Sequence, residues 1–181
     1  RAVKERSFPL VAIRKVFSDE LKRPVDVTLK DLNTKSRRSI VLNLTYVVAN
    51  SSSPFKVASK SNKPDADHIY PRKLLKSIIA REAPHMSEKE IADEINHIGN
   101  YRLIGATENR KRKDTAPDVY FGKMKAGGYD IVRHLLVEPY CSDPSKLIST
   151  LDAYRAFRDA RSAKMLELVR DRKSTRLNSS H

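Results

Sequence analysis

The sequence predicts a mostly helical α+β fold, and three observations carry that reading. Thr28-Leu-Lys-Asp31 and Ser87-Glu-Lys-Glu90 have the spacing of capping boxes, which open helices. From Asp130 onward the pattern is helical, with Leu147, Leu151, Tyr154, Phe157 and Arg158 on one repeating face. Between these regions lie a short apolar-polar stretch around Asp67-His-Ile-Tyr-Pro71 and the segment from Asn96 to Ile104.

The elements follow in order. Residues 1–50 read as helical. Ser36 can cap a segment from Arg37 to about Ala49, where Ile40, Leu44, Val47 and Val48 fall at helical spacing, although its Val and Thr content leaves a strand open. Ser51-Ser-Ser-Pro54 breaks the chain, and Lys56 to Lys63 is basic and irregular. The helix opened by Ser87 runs to about Asn96 and carries Glu88, Glu90, Asp93 and Glu94. Gly99 and Gly105 punctuate the next stretch, and Asn109 to Lys113 is a basic run.

Composition narrows the function. The 181 residues carry 36 Lys and Arg against 22 Asp and Glu, a net charge of +14. Such a field attracts polyanions, with nucleic acid the default partner. No apolar stretch reaches the roughly 18 residues of a membrane span. A single cysteine, Cys141, excludes a disulfide framework and Cys-rich zinc sites, and points to a reducing, cytoplasmic compartment. The chain opens on Arg1, which reads as a start inside a longer protein, and residues 171–181 resemble a translated sequencing adapter.

Three pieces carry chemistry: Asp67-His68-Ile69-Tyr70-Pro71, Gly99-Asn100-Tyr101-Arg102-Leu103, and Asn109-Arg110-Lys111-Arg112-Lys113. An Asp–His pair sets a hard oxygen ligand beside a group that is partly neutral near pH 7. Asn109 offers a second oxygen without further charge, and the basic run can hold phosphate. His97 reads as a structural or surface histidine, His134 as a packing residue, Cys141 as an inert thiol, and Tyr70 and Tyr101 as core residues that could also stack on a base. Arg102 reads as a phosphate contact or a surface ion pair.

Together the three pieces resemble the HNH, or ββα-metal, endonuclease motif, and more narrowly the C-terminal nuclease region of GmrSD-type restriction and phage-defence proteins. Tyr154-Arg-Ala-Phe157-Arg-Asp-Ala-Arg161 is similar to that family's C-terminal helix, and the resemblance spans roughly residues 28–170. It implies a short hairpin plus helix, flanked by N- and C-terminal helices. His68 would be the general base, Asn100 would pin the loop that orients it, and Asp67 with Asn109 would hold one Mg²⁺ or Mn²⁺. Arg102, Arg110, Lys111, Arg112 and Lys113 would contact DNA. The hairpin is expected over 67–71 and 100–104, with the helix from about 108.

The division that follows is a helical segment at 1–50, a nuclease core at 51–125 with a helical insert at 72–95, and C-terminal helices at 126–170. The resemblance further implies an upstream ParB-like nucleotide-hydrolysing domain. The activity expected is metal-dependent DNA hydrolysis. The alternative is a non-catalytic nucleic-acid-binding module that has kept the fold and the charge.

Overall fold

In the computed structural model, the described residues are 28–33, 38, 41–43, 45 and 64–171. Most of them are helical, and among them lies one two-stranded antiparallel sheet. Strand β1 (Pro64–His68) pairs with β2 (Tyr101–Gly105), with Asp67 opposite Arg102 and His68 opposite Tyr101. The α+β class read from the sequence is the class observed.

Local chemistry explains the helices. At α1 (Leu29–Leu32), the Thr28 hydroxyl accepts from the Asp31 N–H, and the Asp31 carboxylate answers the Thr28 N–H at 3.0 Å. Residues 38, 41–43 and 45 are helical, while the rest of the expected 37–49 segment lies outside the described residues. The insert between the strands is two helices, α2 (Arg72–Glu82) and α3 (Glu88–Ile95). Ser87 and Glu90 form the second capping box, with the Ser87 N–H donating to Glu90 Oε2 at 2.8 Å.

Helix α4 (Ala106–Arg112) follows β2 directly and completes a ββα unit. Then come α5 (Pro117–Ala126), α6 (Val132–Leu135), α7 (Glu138–Ser142) and the long α8 (Leu151–Asp171). The first strand starts and ends earlier than the expected 67–71, and the second runs one residue later than the expected 100–104. Pro71 has no N–H for a ladder and immediately precedes α2, so β1 cannot run through it. The expected start of the helix near 108 moves to Ala106.

Two apolar clusters hold these elements. The larger gathers Ile69, Tyr70, Leu75, Ile79, Phe121, Tyr154 and Phe157; the smaller joins Leu32, Val41, Leu42, Ile98, Tyr101 and Met165. Helix α8 feeds both, through Tyr154 and Phe157 to the first and Met165 to the second. It also carries Arg161, fully buried, which donates to the carbonyls of His134, Gly99 and Tyr101 at 2.9, 3.0 and 2.6 Å. Burial lowers the Arg161 pKa to about 9, so it stays charged at neutral pH. Gly99 is required here: a Cβ would stand 2.1 Å from the Arg158 carbonyl oxygen on α8. No helix among the described residues is long and apolar enough to cross a membrane.

Candidate active site

Strand alternation gives the ribbon two chemically different faces. Asp65 and Asp67 on β1 share one face with Arg102 on β2, while His68 shares the other with Tyr101. Helix α4 supplies the first face, because Asn109 reaches Asp65 and Arg112 reaches Asp67.

His68 sits at the end of β1, half-buried, with its ring 4.2 Å from that of Tyr101. Its Nε2 lies 3.3 Å from Asn96 Oδ1. Burial pulls its pKa down to about 4, aided by the positive charges of Arg72 and Arg38, and opposed by the Asn96 hydrogen bond and the Asp67 carboxylate. His68 is therefore neutral at pH 7 and can accept a proton. The partly neutral histidine expected from the sequence is corrected by this desolvation.

Asn100 holds the chain that follows His68. Its carbonyl oxygen accepts from the Ile69 N–H at 2.7 Å, and its Oδ1 accepts from the Tyr70 N–H at 2.8 Å. Its Nδ2 donates to the carbonyls of Ile95 and Tyr70 at 3.0 and 3.3 Å. One buried amide thus satisfies both backbone polar groups of Tyr70, which stops the strand end from shifting.

The opposite face is an ion-pair lock. Asp67 Oδ2 accepts from Arg102 Nε at 2.8 Å and from Arg112 Nη1 at 2.5 Å. Arg112 also donates to the His68 carbonyl at 2.5 Å and to the Ile69 carbonyl. Asp67, Arg102 and Arg112 are only 8%, 1% and 4% exposed. Arg102 Nη1 and Nη2 have no hydrogen-bond partner, but the guanidinium lies over Tyr120 and Phe121 at 4.7 and 5.0 Å. The ring faces offset part of that cost.

This geometry corrects two expectations for the basic residues. Arg102 and Arg112 are not surface contacts for phosphate, because both are buried against Asp67. Every residue of β2 is buried, so both of its faces are covered and Arg102 has no route to solvent. Arg110, Lys111 and Lys113 are exposed, as a nucleic-acid contact requires, while Lys56, Lys60 and Lys63 lie outside the described residues.

The expected pairing of Asp67 with Asn109 around a cation is not what the structure shows. Asn109 Nδ2 donates to Asp65 Oδ2 at 2.8 Å, and Asp67 is held by two guanidiniums. A divalent ion entering beside Asp67 would meet both positive charges, so this donor set as arranged does not fit one. Among the described residues there is no group of three or more His, Cys, Asp or Glu that could hold a metal.

The other candidates fall into place. His97 Nδ1 accepts from the Gly99 N–H at 3.2 Å and so caps a short turn. His134 is buried beside Phe121, and burial raises the Cys141 thiol to about 11, which keeps it protonated. Tyr70 and Tyr101 are buried core residues. Asn96 and Tyr101 contact His68, and Arg38 acts on it through its charge. The His68–Tyr101 register follows from strand pairing, but nothing in the sequence ties Arg38 to either.

The family model for the C-terminal domain of GmrSD restriction endonucleases matches residues 18–140. The chain belongs to that family. Among curated proteins and solved structures, none matches it. Membership makes this GmrSD C-terminal domain a nuclease-type domain of restriction enzymes, and its ββα unit falls inside the matched span.

Proposed function

We propose that this GmrSD C-terminal domain hydrolyses phosphodiester bonds of DNA, with His68 as the general base. The observation that carries the reading is a histidine held neutral at the end of β1, its following backbone clamped by Asn100. His68 would take a proton from water, and the resulting hydroxide would form the new P–O bond as the bond to the leaving sugar oxygen breaks, that oxygen keeping the bonding pair and taking a proton from solvent water. Arg38 and Arg72, whose charges act on His68, would favour an approaching phosphate. Exposed Arg110, Lys111 and Lys113 would add contacts to the nucleic-acid backbone.

A second reading, a nucleic-acid-binding module without chemistry, is favoured by the engagement of Asp67 with two arginines. Plasmid cleavage separates the two. Wild-type protein is assayed with Mg²⁺, with Mn²⁺ and with chelator, across pH 5.5 to 8. Because His68 titrates at about 4, its protonation should leave the cleavage rate level across this range, rather than climbing through about 6–7. DNA binding with no cleavage under any of the three metal conditions would select the binding module.

A further inference from the structure

Four side chains on the His68 face form one continuous line. Arg38 Nη1 lies 2.8 Å from Tyr101 Oη, and Arg38 Cζ stands 4.1 Å from the centroid of the same ring. Arg38 Nη2 donates to the Asn96 carbonyl oxygen at 3.2 Å. Tyr101 Oη lies 2.8 Å from Asn96 Oδ1, and His68 Nε2 lies 3.3 Å from that same oxygen.

The direction of each proton can be worked out from the outer end. A guanidinium has donors and no acceptor, so Arg38 donates to the phenolic oxygen. Tyr101 then places its own proton on Asn96 Oδ1. An amide oxygen only accepts, so the His68 nitrogen that faces it must carry a hydrogen. We propose that Arg38, Tyr101 and Asn96 are positioning residues that hold His68 as the Nε2–H tautomer, leaving the Nδ1 lone pair as the base. This rests on the reading of His68 as the base, and it adds which nitrogen acts and what selects it.

The competing arrangement turns the Asn96 amide over. Its Nδ2 would then donate to both Tyr101 Oη and His68 Nε2, and His68 would carry its hydrogen on Nδ1. That leaves the phenol accepting two donors, with its own proton deprived of the amide oxygen. The Arg38 contact disfavours this, because it has already filled one lone pair of Oη. The hydrogen bond made by one ring nitrogen decides the state of the other.

The test is the nitrogen-15 spectrum of the His68 ring in the folded protein at pH 7, which distinguishes the two neutral tautomers without reference to activity. Wild type should show the Nε2–H form alone. Tyr101→Phe removes one hydroxyl from the line and keeps the ring, and it should give a mixture of the two tautomers. In the same variant the cleavage rate at saturating DNA should fall about tenfold, with DNA affinity unchanged. Asn96→Ala, with folding checked by thermal melting, should give the same mixture. An Nδ1–H signal in wild type would overturn the proposal. So would a tautomer that stays put in both variants. A tautomer that shifts as described in a protein that cleaves no DNA would uphold the line of contacts and remove the catalytic reading.

Discussion

The two faces of the ribbon are built from adjacent residues yet do opposite things. On one, Asp67 is spent on Arg102 and Arg112, all three buried, in a lock that also grips the carbonyls of His68 and Ile69. On the other, His68 keeps a neutral ring, half-buried, against Tyr101 and Asn96. Neighbours in a strand can thus divide the labour: one face fixes the backbone, and the other holds a neutral ring able to accept a proton. Substitutions on the locking face should therefore register first in stability, and those on the His68 face in activity.

The largest stability effect should come from the lock itself. Asp67→Ala leaves two buried guanidiniums without their carboxylate, which should cost about 3–5 kcal/mol in urea unfolding. A loss below about 1 kcal/mol would mean that the arginines find other partners and that the lock contributes little.

Next comes the anchor behind both faces. Gly99→Ala would drive a methyl group against the Arg158 backbone oxygen, where no flexible side chain can yield. About 1–3 kcal/mol of destabilisation is expected, read as a lower thermal midpoint. An unchanged midpoint would show that the turn and α8 can move apart freely.

How much of this was legible in the sequence follows range of interaction. The capping boxes at Thr28 and Ser87 were readable because each is closed within four residues. The ββα unit was readable only because its three short pieces together resemble a known family, since each piece alone is a weak signal. The lock was not, because Asp67 meets partners 35 and 45 positions away, and a basic run looks the same whether an arginine points out or in. Arg112 lies between exposed Lys111 and Lys113 and still turns inward, since α4 presents that position to Asp67. The low pKa of His68 was equally hidden, because desolvation is the largest cause and depends on the packed fold.

A smaller effect concerns acid. His134 lies in the positive field of Arg102, Arg133, Arg161 and Arg112, and burial holds its pKa well below the ordinary 6.5. The unfolded chain then binds more protons than the folded one below pH 6.5, so stability must fall as the pH drops. The urea midpoint should be lower at pH 5 than at pH 7, and His134→Gln should shrink that difference. His68 and His97 are shifted in the same direction, so part of the difference should persist. Equal midpoints at the two pH values would contradict the assignment of these histidines as neutral in the fold.

The division between the faces is tested most directly by the initial rate of DNA cleavage per folded molecule in His68→Ala, with the thermal midpoint measured on the same sample. The expected rate is lower by about 10²-fold or more, with DNA affinity retained and the fold intact, because the base is lost while the Asp67 lock is untouched. Cleavage at the wild-type rate by folded His68→Ala would contradict it and place the chemistry elsewhere in the domain.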